Sequence, residues 1–104
     1  MAKTTNNTNT SLVATLSSAR ANIFRTAQVD DERNLSPIEL AQLRALECVI
    51  ANSAAETRRD AAVQVAIALE RVEAFLDGSG SADMLHTAYA ALRSASAVLC
   101  PSAV

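Results

Sequence analysis

Aromatic side chains are almost missing from this chain: two phenylalanines, one tyrosine and no tryptophan in 104 residues. A β-sandwich or barrel fills its interior with rings and β-branched residues, so their scarcity excludes those architectures as a first choice. Glycine and proline number two each, too few to punctuate a chain of short strands or to form a glycine-rich phosphate loop. The two cysteines, Cys48 and Cys100, have no metal-ligand spacing, and His86 is the only histidine that could join them. They are expected to be free thiols in a reducing compartment, with Cys48 as a small helix-packing residue. No long hydrophobic run exists, so neither a Sec-type signal nor a membrane-spanning segment is expected. A cytoplasmic location follows as the default, with non-classical export as the alternative.

An excess of positive charge is also lacking. The formal net charge is −2, and Lys3 and the eight arginines are scattered among acidic residues, whereas a dedicated nucleic-acid binder masses positive charge against phosphates. Apolar residues make up 50% of the chain, much of it alanine. A core built from Leu, Ile and Val and closed up through Ala suits helix packed on helix.

The pattern along the chain predicts an all-α antiparallel bundle of three helices, or four if the long central helix breaks at residues 53–57 between Ser53 and Thr57. Residues 1–10 are Thr- and Asn-rich and are expected to be a disordered tail, leaving 11–100 as a single helical domain. The first helix is expected over 11–28, capped by Thr10 or Ser11, with a stripe of Leu12, Leu16, Ala19, Ile23 and Ala27. Val13 and Phe24 lie at its edge. Asp30, Asp31 and Glu32 interrupt the periodicity, and Asn34 closes the connection.

Ser36-Pro37-Ile38-Glu39 has the form of a capping box with proline at the first helical position, and Leu35 and Leu40 are placed as its hydrophobic staple. No Gly or Pro then appears until Gly78. An unbroken helix to Leu76 would be about 60 Å long. Asn52 and Ser53 before Glu56, and Thr57 before Asp60, offer capping spacings for a restart. The stripe Leu43, Leu46, Ile50, Ala54 nonetheless continues through Ala61, Val65, Leu69, Val72 and Leu76 without a phase jump, which favours one helix. Gly78 is expected as a left-handed cap and Ser81 as the cap of a last helix with the face Leu85, Ala88, Leu92, Ala95, Leu99.

Residues 61–76 present a second apolar face, Val63, Ala66, Ile67 and Ala74, nearly opposite the first. A peripheral helix needs only one. The second face, with Val13 and Phe24 as secondary members, is therefore the expected partner-binding surface, and a homodimer is its simplest use. Arg58 and Arg59 are read as surface charge.

Two local resemblances suggest other classes. His86-Thr87 on a helix is similar to the motif of His-phosphotransfer domains, which implies phosphorylation of His86. Tyr89 and Ala90 stand where that family has Lys and Gly, so the groups that steady the phosphoryl and admit the partner are absent. Leu35-Ser36-Pro37-Ile38-Glu39-Leu40 resembles the opening of a LuxR-type helix-turn-helix, which implies DNA binding through a later helix. Its downstream glycine-type turn is missing between Ala54 and Ala62. With one histidine, no carboxylate placed to orient it and no cofactor or metal motif, an enzyme is not expected. The sequence reads best as a small interaction module that binds itself and a larger protein: an anti-activator, an anti-defence inhibitor or an adaptor. A DNA-binding or phosphotransfer component is the runner-up.

Overall fold

The computed structural model describes residues 11–100; the tail expected over 1–10 lies outside them. Four α-helices and one 3-10 turn account for the regular structure, and no strand occurs among the described residues. The helices are α1 (Leu12–Ala27), α2 (Pro37–Asn52), α3 (Arg58–Leu76) and α4 (Ala82–Leu99), with the 3-10 turn at Glu32–Asn34.

Local capping chemistry decides most boundaries. The Ser11 hydroxyl accepts from the Ala14 amide at 3.0 Å and starts α1. Both halves of the capping box open α2: the Glu39 amide donates to Ser36 Oγ at 3.2 Å and the Ser36 amide to the Glu39 carboxylate at 3.0 Å. At the end of α1, Gln28 takes a left-handed conformation (φ 60°), and its amide and that of Val29 return to the carbonyls of Arg25 and Phe24. Gly78 (φ 80°) does the same after α3, with the amides of Gly78 and Ser79 bonded to the carbonyls of Phe75 and Ala74. This paired return is the Schellman arrangement, which satisfies carbonyls that a helix end leaves open. Ser81 occupies the N-cap position of α4 but makes no side-chain capping bond.

Of the two alternatives left open by the sequence, the broken one is found: residues 53–57 leave helical geometry. The Asn52 and Ser53 side chains fold back onto the carbonyls of Cys48 and Val49, at 2.9 and 2.6 Å, and terminate α2. Thr57 Oγ1 then accepts from the Asp60 amide at 3.0 Å and restarts the chain as α3. The non-helical stretch is held from across the molecule. Gln64 Nε2 and Ser94 Oγ both donate to the Ser53 carbonyl, and the Ala55 amide donates to Ser94 Oγ. The apolar stripe that runs on across the break is largely exposed on α3: Ala61 is buried and Val72 half-buried, but Val65, Leu69 and Leu76 face water.

Two apolar clusters form the core. Val13, Ile50 and Ile67 meet from α1, α2 and α3, with Leu16 and Val63 against them. Ala51, Ala68, Ala88 and Ala91 join α2, α3 and α4, with Val72 and Ala90 alongside. Small side chains let α3 and α4 approach closely, since a methyl group sets the distance between backbones. The inward residue near the start of α1 is Val13, not Leu12, which is exposed. Cys48, expected to pack inside, is exposed, as is Cys100, and neither is disulfide-bonded.

Candidate functional site

The sequence-based partner face divides when placed in the fold. Val13 and Ile67 are fully buried in one cluster, and Val63 packs partly buried against it. Phe24 and Ala74 are half-buried, and Ala66 alone is exposed. Val13, Val63 and Ile67 therefore bind α1, α2 and α3 to one another, and the set presents no common surface. On α3 the Ile67 side is buried, and the side carrying Val65, Leu69 and Leu76 is exposed. Once the chain breaks at 53–57, α1 reaches the Val63–Ile67 side and covers it.

α3 leaves Val65, Leu69, Phe75 and Leu76 exposed, with Leu69 58% and Leu76 75% exposed; Phe75 lies about 100° round from Leu76, and Val65, Leu69 and Leu76 form one row. On α4 the exposed large residues are Leu85, Tyr89, Leu92 and Leu99. Side-chain contacts fix how these rows relate. Gln64 Nε2 donates to Ser94 Oγ at 3.0 Å, and Arg71 reaches Met84 Sδ at 4.0 Å, marking the inward edge of the α3–α4 contact. At about 100° per residue, both helices turn outward from that edge in the same sequence. Polar residues come first, then buried alanines (Ala61 and Ala68 on α3; Ala88, Ala91 and Ala95 on α4), then the leucine rows. The rows thus flank one alanine seam on the side away from α1 and α2. On the rim beyond the α4 row, the Arg93 guanidinium donates to the Tyr89 hydroxyl at 3.2 Å. His86 is exposed on the same helix, and Arg58 and Arg59 are exposed in the first turn of α3.

A second feature is a cluster of charges between the helices. Arg71 and Glu47, 2% and 1% exposed, lie inside the bundle at the centre of six charges. Glu47 accepts from Arg20 Nε at 2.9 Å and from Arg44 at 3.2 Å, and its carboxylate is 3.5 Å from Arg71 Nε. Glu32 takes both terminal nitrogens of Arg44, at 3.1 and 3.0 Å, and Arg71 at 2.7 Å. Arg20 also donates to Glu70 at 2.7 Å. Burial works to raise the pKa of the Glu32 carboxyl, but the hydrogen bonds and charges of Arg44 and Arg71 outweigh it and hold it at about 2. Burial works to lower the pKa of Arg44, but its hydrogen bonds and attraction to Glu32, with help from Glu47, prevail and raise it. The cluster ties α1, the 3-10 turn, α2 and α3 together.

The available signal was positional. Leu43, Glu47 and Ile50 follow the core spacing of α2, and Gln64, Ile67 and Arg71 follow that of α3. A charge at such a position on each of two helices, opposite in sign, marks a buried pair.

Chemically, the cluster is closed. Glu32, Glu47 and Glu70 bring one oxygen each within 4.8 Å of one another, a spacing that suits a cation. Guanidinium groups already engage those carboxylates, however, so a metal would have to displace arginines. A carboxylate held at about 2 is also a poor general base at neutral pH. The adjoining recess, about 300 Å³, is lined by Arg44, Glu47, Arg71, Ser81, Asp83, Met84 and Thr87, with no histidine or cysteine. In comparisons with known proteins, no family model, no curated protein and no solved structure matches the chain.

Proposed function

We propose that the chain is a non-enzymatic protein–protein interaction module, a small regulator that works by covering part of a partner. The surface it uses is the outer face of an antiparallel α3–α4 hairpin. The observation that carries this reading is the pair of leucine rows left in water beside a seam of buried alanine. Burying a largely exposed leucine contributes roughly 1–2 kcal/mol, so Leu69, Leu76, Leu85, Leu92 and Leu99 together offer enough to hold a partner against the entropy of association. Inhibitor, anti-activator and adaptor are all ways of using such a face. Unpaired, exposed thiols suit work in a reducing compartment such as the cytoplasm.

The test is binding by the wild-type chain and by Leu69→Asp/Leu92→Asp, using immobilised protein and both host lysate and tagged copies of the chain. The double variant should keep its helical circular dichroism and lose what the wild type retains. Retention of every partner by a folded double variant would refute the assignment.

A further inference from the structure

We propose that the occupant of this face is a second copy of the chain, with two α3–α4 hairpins closing face to face about a two-fold axis. The inference rests on the reading of the leucine rows as an interaction surface and names what covers them.

Area is the first argument. The exposed parts of Val65, Leu69, Leu76, Leu85, Tyr89, Leu92 and Leu99 amount to roughly 600 Å². That is the upper end of the largest apolar patch on a typical monomer and most of the ~800 Å² each partner contributes to a standard interface.

Spacing is the second. The exposed members of the α3 row, Val65, Leu69 and Leu76, are four and seven residues apart, and those of the α4 row, Leu85, Leu92 and Leu99, are seven apart, while Val72, Ala88 and Ala95 between them pack inward. Seven residues is two helical turns, so each row keeps to one line along its helix, the repeat with which two helices meet over several turns. A two-fold axis sets rows of this kind against each other with no further surface required.

Shape is the third. Two recesses among the described residues, lined by residues such as Arg44 and Arg71 or Arg20 and Glu70, include no leucine of these rows. A face of side chains ridged along two helices fits another helical face better than a single extended peptide.

Light scattering after size exclusion, run at several micromolar concentrations, decides the matter. The wild type should have twice the chain mass of 10.9 kDa and dissociate on dilution. Leu69→Glu/Leu92→Glu should raise the dissociation constant at least about a hundredfold and have the single-chain mass with unchanged helicity. Ile38→Glu, at an exposed position on α2 (73%), should leave the dimer intact. If the double glutamate variant fails to fold, Leu69→Ser/Leu92→Ser supplies the same comparison. A wild-type chain at single-chain mass overturns the second-copy inference. If that monomer binds bis-ANS and the double variant does not, the interaction surface stands without the dimer; a monomer that ignores the dye overturns both. A dimer that survives both double variants places the contact elsewhere and also overturns both.

Discussion

Arg71 and Glu47 sit where a core wants leucine, and their energetics differ from those of a surface pair. Two opposite charges removed from water gain little over a well-packed apolar pair, but either alone costs heavily. Glu47→Ala should therefore destabilise the fold by about 3–5 kcal/mol, because Arg71 stays buried with one fewer counter-charge. Replacing both, as Glu47→Leu with Arg71→Met, should cost far less than the sum of the single changes. Urea unfolding of the three variants measures this, and strictly additive losses would contradict a coupled pair. At Glu32 the same chemistry has a pH signature. Its folded pKa of about 2 lies below the ordinary 4.5, so its share of stability is fully present above pH 4.5 and is lost as pH falls through 2. Glu32→Gln should flatten the stability profile between those limits, as read by the midpoint of urea unfolding at each pH. An unchanged profile would mean that Glu32 is not held by arginine in solution.

At the scale of elements, boundaries were legible and faces were not. Ser11, the Ser36–Glu39 box and Gly78 each act on residues within one turn, so their spacing alone announced a start or a stop. The break at 53–57 was legible in part: its caps were visible, but the contacts that hold it come from Gln64 and Ser94 on other helices. Ser94→Ala removes bonds to the Ser53 carbonyl and the Ala55 amide. It should lower stability by about 1–3 kcal/mol and speed amide exchange at Ala55 more than at the middle of α4. Equal exchange at the two places would show that the hydroxyl does not hold the break. The choice between the two apolar faces of α3 depended on where α1 lands, and nothing within α3 records that. Glu47 and Arg71 each stand at core spacing within their own helix, but their pairing depends on how α2 meets α3 and is recorded in neither helix alone.

For the whole molecule, flatness is the governing fact. The shortest Cα dimension is 17 Å, which is two layers of helices at 8–10 Å between axes. A two-layer body of this length cannot enclose every apolar stripe that its helices carry, and the stripe left over is the one on α3 and α4. The charge cluster secures α1, the 3-10 turn, α2 and α3, and contributes nothing to the outer face. Stability and the proposed binding role are thus placed on different sides of α3.

The most direct measurement is thermal unfolding of Ile67→Asp beside Leu69→Asp, two substitutions separated by two positions on that helix. Ile67→Asp puts a charge into the Val13–Ile50 cluster and should lose at least about 3 kcal/mol, enough to abolish or severely lower the cooperative transition. Leu69→Asp should keep a cooperative transition, with a midpoint that no longer rises with protein concentration. The opposite pattern, a folded Ile67→Asp chain that has lost its partner and a Leu69→Asp chain that does not fold, would contradict the assignment of the two faces.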